Sequence, residues 1–364
     1  MGSKRTPAFF FTTALPQKAR PYSPKRTLAP RQALLPKPAV LHRTIQYGFL
    51  AFFIFAGMQF YFYYLWASGQ SNFFVAKPPS VEAFLPLSAM LALKRLLLTG
   101  QYDFTHPAGL TILLMALGMA LVLRKSFCGY LCPVGAVSML LFRLGRWLGI
   151  SRRPGKMLSF LLGLPKYALL YFVFAYILQG LTVDEIEAFL RTPYNMVADS
   201  KMLLFFLNMS LTTAVFIVVM GIGSMLIPGF WCNGFCPYGA LLGLLAVFSP
   251  VAVFRNKEAC LDCGRCTRAC PSHIPVQDKK RVSGPDCVGC TECVSVCPAK
   301  NCLMVRLGYT KRAINLPDWF IPATTLGVLA TVFTLAKMHG YWDSQVPAEV
   351  LRHFHGQIMS IGHP

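Results

Sequence analysis

Between residues 260 and 298 the sequence writes one cysteine pattern twice: Cys260-x-x-Cys263-x-x-Cys266-x-x-x-Cys270-Pro271, then Cys287-x-x-Cys290-x-x-Cys293-x-x-x-Cys297-Pro298. This is the spacing of a two-cluster bacterial ferredoxin, and no other feature limits the fold as tightly. Three thiolates on a tight turn hold one face of a 4Fe-4S cubane. The local chain cannot reach round the cluster, so the fourth cysteine of each run is expected to ligate the other cluster. The expected sets are Cys260, Cys263, Cys266 and Cys297 for cluster 1, and Cys287, Cys290, Cys293 and Cys270 for cluster 2. Zinc also binds C-x-x-C pairs, but two runs of four that each end in Cys-Pro favour clusters. Gly264, Gly289 and Thr291 are small enough for backbone amides to approach cluster sulfur. Cys302, past the second run, reads as a small buried residue.

Around this segment the chain is 55% hydrophobic and only 13% charged, too charge-poor for an ordinary soluble protein. Apolar stretches near the roughly 20 residues that cross a bilayer occur at 45–67, 107–124, 157–180, 203–227 and 317–337. The expected fold is an all-α membrane bundle of five transmembrane helices, with the ferredoxin domain inserted before the last. Residues 1–44 read as a disordered basic tail, 45–250 as a four-span domain, 251–312 as the 2[4Fe-4S] domain, and 313–364 as the last helix with a short tail. Five spans place the termini on opposite sides. The tail, the segment with Arg124, Lys125, Arg143, Arg146, Arg152, Arg153 and Lys156, and the 255–312 region are all basic and fall on one side. That side is expected to be the cytoplasm of a bacterial inner membrane, with the C-terminus periplasmic. Val81 to Leu98 reads as an amphipathic or re-entrant element. The formal charge of +21 sits beside apolar runs, where it sets topology and attracts anionic lipid, so nucleic acid is not an expected partner.

A second cysteine pattern is duplicated where spans end: Cys128-Gly-Tyr-Leu-Cys132-Pro133-Val-Gly135 and Cys232-Asn-Gly-Phe-Cys236-Pro237-Tyr-Gly239. Duplicated membrane units commonly build one site at their interface. Four soft ligands suit a third iron-sulfur cluster or copper(I), while each pair alone has the composition of a dithiol/disulfide couple. The plain alternative is four packing cysteines with prolines marking helix breaks.

Ionisable groups at the opposite span ends are Glu82, Asp103, His106, Asp184, Glu185, Glu187, Tyr194 and Asp199. If a quinol is oxidised there, a proton acceptor is required, and His106 before Pro107 is the candidate, with an interfacial anchor as its plain reading. The run Phe60 to Tyr64 reads as an aromatic belt. No G-x-G-x-x-G follows a strand and no C-x-x-C-H occurs, so electrons are expected to pass to separate partners.

These residues resemble the polytopic ferredoxin-type membrane proteins that include NapH, NosR, MauN and CcoG. The resemblance runs through Lys77-Pro-Pro-Ser-Val-Glu82, His106-Pro107, both Cys-x-x-x-Cys-Pro motifs, Lys166-Tyr167, Pro193-Tyr194-Asn195, Ala198-Asp199 and the double cluster motif. It is closest to the compact NapH-like form. The resemblance implies a quinol dehydrogenase-like subunit that couples quinone, the clusters and a partner redox protein, either a cytochrome or a soluble ferredoxin-type subunit. The competing reading is a relay or metal-reducing assembly factor without its own quinone site.

Overall fold

The computed structural model describes residues 38–309 and 313–362. The basic tail therefore lies outside the described residues up to position 37, and helix α1 (Pro38–Ala67) begins inside the range assigned to it. The 30 residues of α1 span about 45 Å at 1.5 Å per residue, against roughly 30 Å of hydrocarbon. Its middle exposes Phe52, Ile54, Phe55 and Met58, as a lipid-facing helix does, while His42 and Gln46 at one end and Phe60, Tyr63 and Tyr64 at the other are buried. The aromatic run is thus partly a packing surface, with Tyr61 and Phe62 left exposed.

A 3-10 turn (Pro79–Phe84) and α2 (Pro86–Thr99) occupy the segment expected to be amphipathic. Helix α3 (Pro107–Leu123) follows, buried along most of its length. A single π-helical turn (Phe127–Leu131) leads to α4 (Pro133–Trp147) and α5 (Lys156–Gln179). Next come α6 (Val183–Leu190), which opens on a Thr182/Glu185 capping box, α7 (Pro193–Met196), α8 (Ala198–Leu207) and α9 (Leu211–Leu226). The repeat then recurs as α10 (Phe230–Gly234) and α11 (Pro237–Ala246).

Three described helices are long and apolar enough to cross a membrane: α1, α5 from Met157, and the last long helix, Phe320–Met338. Helix α3, at 17 residues, is apolar but shorter. The fourth expected span, 203–227, is not one straight helix: α8 and α9 meet at 84°. Ser210 marks the restart: its hydroxyl caps α9 by accepting from the Thr213 amide at 3.2 Å.

The ferredoxin segment contains β1 (Val251–Arg255), α12 (Arg265–Ala269), β2 (Arg281–Val282), α13 (Glu292–Ser295), β3 (Leu303–Leu307) and β4 (Ile314–Leu316). The strands form one antiparallel sheet in the order β2-β1-β3-β4, with Val253 opposite both Val282 and Val305. The sheet runs past residue 312, up to the start of α14 (Phe320–Met338). Val251, Val253, Val294 and Val305 share one core with Ile112, Met119 and Leu123 of α3 and Ile321 of α14, so the insert is packed into the end of the bundle.

Polar contacts line the same seam. The Lys125 amide donates to the Cys287 carbonyl at 3.4 Å, and Tyr130 Oη donates to the Gly289 carbonyl at 3.2 Å. Arg124 donates to the carbonyls of Ala246 (2.8 Å) and Gly284, and the Lys166 ammonium meets Asp286 at 2.6 Å. Glu292 lies 3.1 Å from Arg143 and 3.5 Å from His42. Several basic residues expected to set topology therefore also fasten the insert.

At the other end of α1 a buried polar network closes the bundle. Lys77 Nζ contacts Asp199 at 2.6 Å and Glu82 at 3.2 Å, while His106 lies 3.3 Å from Glu82 and bonds the Asn195 carbonyl at 2.7 Å. The tail returns to this network through α15 (Ala348–Gly356), where His355 Nε2 bonds Ser200 at 2.8 Å.

Two outcomes follow for purified protein in detergent. A Cβ on Gly129 would stand 2.7 Å from the Val288 carbonyl, so Gly129→Ala should cost about 1–3 kcal/mol and lower the melting temperature, with the insert loosening first in hydrogen exchange. Burial alone pushes the His106 pKa down, but Glu82 outweighs it and the net shift is upward. Its stabilisation is then complete below the unfolded value of about 6.5 and is lost as pH rises through the higher folded value. Melting against pH should show that alkaline loss in the native chain and not in His106→Gln.

Candidate iron-sulfur sites

The two ferredoxin loops repeat in backbone as they do in sequence. On either side of the middle cysteine the chain enters the left-handed region, at Asp262 (φ 49°) and Gly264 (φ 68°) around Cys263, and at Gly289 (φ 67°) and Thr291 (φ 55°) around Cys290. Glycine supplies one position of each pair, and Asp262 and Thr291 hold the strained conformation without it. Each loop is followed by a short helix, α12 or α13, that carries the third cysteine.

The fourth cysteines cross over. Cys297 lines one narrow cleft with Cys260, Cys263 and Cys266. Cys270 lies within electrostatic reach of Cys287, Cys290 and Cys293. Burial pushes the Cys270 thiol up to about 11 and Cys290 and Cys293 well above the usual thiol range. Thiols placed this way ionise when a metal takes the proton's place, so the donor set suits clusters. Hydrogen bonds aim at the sulfurs: the Ile274 amide reaches Cys270 Sγ at 3.4 Å, and Arg255 Nη1 reaches Cys260 Sγ at 3.5 Å.

The two sets differ in exposure. Cys263 is exposed, whereas Cys290 is buried and the neighbouring Cys287 carbonyl is bonded to the membrane part. Cys302 lines the first cleft as well and interacts with Cys297 and Cys260, a placement that its isolated position in sequence did not signal.

The paired motifs come together. Cys128, Cys132, Cys232 and Cys236 line one cavity of about 240 Å³, completed by Phe53, Phe127, Trp231 and Tyr238 and by Pro271, Ser272 and Val288 of the ferredoxin segment. The motifs are not continuous helical turns. Cys128 sits in the π-turn and Cys232 in α10, while Cys132 and Cys236 have extended backbones and cap α4 and α11. The glycine three residues after the second cysteine explains the tuck: a Cβ on Gly135 would meet the Cys128 carbonyl at 2.5 Å, and one on Gly239 the Cys232 carbonyl at 3.0 Å. Cys-x-x-x-Cys-Pro-x-Gly is therefore the full signal, with the proline at the first helical position where its missing N–H costs nothing.

Among the described residues no three Cys, His, Asp or Glu side chains gather closely enough for a single metal ion. Tetrahedral zinc holds its sulfurs about 3.8 Å apart, from Zn–S bonds near 2.3 Å. A cubane spaces its thiolates more widely.

A larger cavity, about 660 Å³ and almost wholly apolar, lies between α1, α3 and α14, with Phe49, Phe52, Ile112, Leu329 and Trp342 among its walls. It shares Phe53, Ala83 and Phe127 with the thiol cavity. Ser80 and Ala83 of the 3-10 turn line it, whereas His106 is buried in the polar network with one ring nitrogen facing Glu82 and the other Asn195.

Comparison with known proteins agrees with this arrangement. The family described as "4Fe-4S binding domain" matches residues 105–151 and again 209–255, and the "4Fe-4S dicluster domain" matches 252–298. The putative electron transport protein YccM of Escherichia coli K12 is 38% identical over 331 residues, covering 86% of this chain and 89% of YccM. The methylamine utilization ferredoxin-type protein MauN of Paracoccus denitrificans is 28% identical, covering 49% of this chain and 60% of MauN. The ferredoxin-type protein NapH of Haemophilus influenzae is 27% identical, covering 53% of this chain and 68% of NapH. No solved structure matches. Matched nearly end to end by YccM and over about half its length by MauN and NapH, the chain belongs to the NapH/MauN-like family of ferredoxin-type 4Fe-4S membrane electron-transport proteins.

Proposed function

We propose that the chain exchanges electrons between the membrane quinone pool and a partner redox protein through two 4Fe-4S clusters. Cys260, Cys263, Cys266 and Cys297 hold one, and Cys287, Cys290, Cys293 and Cys270 hold the other. The crossing of Cys270 and Cys297 into the opposite sets is the observation that carries this reading. When bound, each cluster supplies one-electron transfer. The protein fixes the order: the set containing exposed Cys263 faces a soluble partner, and the set containing Cys290 faces the bundle.

The quinone side of the reading rests on the 660 Å³ apolar cavity, which is open enough for a ring and the first units of an isoprenoid tail. Glu82 lies on the 3-10 turn that lends Ser80 and Ala83 to the wall, and its contact with His106 makes that pair the proton acceptor of this reading. The insert and the N-terminal end of α1 would be cytoplasmic and α15 periplasmic. Lys125, Arg143 and Arg153 cluster at the insert, while Asp184, Glu185 and Glu187 fall on the opposite loops.

The ligand sets make separable predictions on anaerobically purified protein. Cys297→Ser should abolish the reduced-state EPR signal of one cluster and Cys270→Ser that of the other, each lowering iron by about four per chain. Both substitutions removing the same signal would sink the crossed assignment. A short-chain quinol should reduce the clusters of the native chain. Replacing Ala83 by Trp, which fills the cavity, should suppress that reduction at least tenfold while dithionite still reduces both centres.

A further inference from the structure

The function proposed above uses eight cysteines and leaves the four-thiol cavity without a role. We propose that Cys128, Cys132, Cys232 and Cys236 together ligate a third 4Fe-4S cluster, shared between the two halves of the membrane repeat. Each half brings two thiols, one from a short turn and one from a helix N-terminus, so neither half can complete a cluster alone. This placement explains why the motif occurs twice.

Three further observations point to an iron-sulfur core. The first is grouping: all four thiols, two from each half of the repeat, line one cavity. The second is charge. Lys125 lines the cavity, is 1% exposed, and has no carboxylate within ion-pairing distance among the described residues. A buried ammonium needs an anion. Four thiolates around a preassembled core of charge two plus leave a doubly negative unit, with four thiol protons released on ligation. The third is hydrogen bonding: the Gly239 amide at the start of α11 donates to Cys236 Sγ at 3.2 Å, as helix N-termini do for anionic sulfur.

Position gives the site its use. Pro271 and Val288, which close its wall, directly follow Cys270 and Cys287 of the second ferredoxin set, and Phe53 and Phe127 also line the large apolar cavity. A centre here stands between that cavity and the ferredoxin segment. This inference takes the ferredoxin reading only as the baseline for its iron count.

Iron and acid-labile sulfide on anaerobically purified full-length protein, with Mössbauer spectra, test it. The native chain should carry about twelve irons, and the Cys128→Ser/Cys232→Ser double variant about eight with both ferredoxin EPR signals kept. About eight irons in the native chain would overturn the third cluster and leave the ferredoxin clusters standing. Stoichiometric copper, or a Cys128–Cys132 or Cys232–Cys236 disulfide found by mass spectrometry in oxygen-protected material, would overturn it too. The native count decides even if the double variant does not fold. Lys125→Met, which removes the buried cation, should shift one midpoint potential to a more negative value and leave the other two in place. Three unmoved potentials would count against the site.

Discussion

The rest of the structure depends on the seating of a ferredoxin segment against the end of a membrane helix. The insert contributes valines from short strands to a core that it shares with α3 and α14. Its second cysteine loop rests on the π-turn with so little clearance that a Cβ at position 129 would force the Val288 backbone to shift. That contact fixes the loop of Cys287 to Cys293, brings Val288 to the wall of the thiol cavity, and sets the distance between soluble and membrane-embedded thiols. A tethered ferredoxin on a flexible linker would bind the same clusters and hold none of these relations.

Much of this is legible in the sequence because cluster chemistry is intolerant. Eight cysteines at ferredoxin spacing identify the segment before any packing is known. The duplicated Cys-x-x-x-Cys-Pro announces two equivalent positions because a proline at the first helical position and a glycine two residues on serve the same turn both times. The fourth span is read less well. Hydropathy averages over 203–227 and passes over Asn208 and Ser210, where the chain breaks, turns through 84° and restarts on a capping hydroxyl.

The basic residues at span ends do more than flanking position suggests. Arg124 and Lys125, read in sequence as topology signals, are both buried, Arg124 against the distant Gly284 carbonyl. On the opposite side His106, the candidate proton acceptor before Pro107, is buried, with Glu82 and Asn195 around it. Long-range partners do not show in local composition.

The two ends of α1 resolve buried charge in different ways. At the end near the tail, cations meet carboxylates: Lys77 lies between Asp199 and Glu82, and Arg95 meets Glu187 at 3.2 Å. At the ferredoxin end Lys166 meets Asp286 and Arg143 meets Glu292, but Arg124 rests on carbonyl oxygens and Lys125 faces thiols, with no carboxylate paired to either of these two among the described residues. Carbonyl dipoles offset only part of the cost of dehydrating a full charge, so Arg124 and Lys125 lack a full counter-charge as long as the neighbouring thiols are neutral. Thiolates ligating iron at the proposed third site would remove the deficit. On that proposal the buried Lys125 and the chemistry of the four cysteines form one electrostatic arrangement, in which the cation is placed for an anion that the amino-acid sequence alone does not contain.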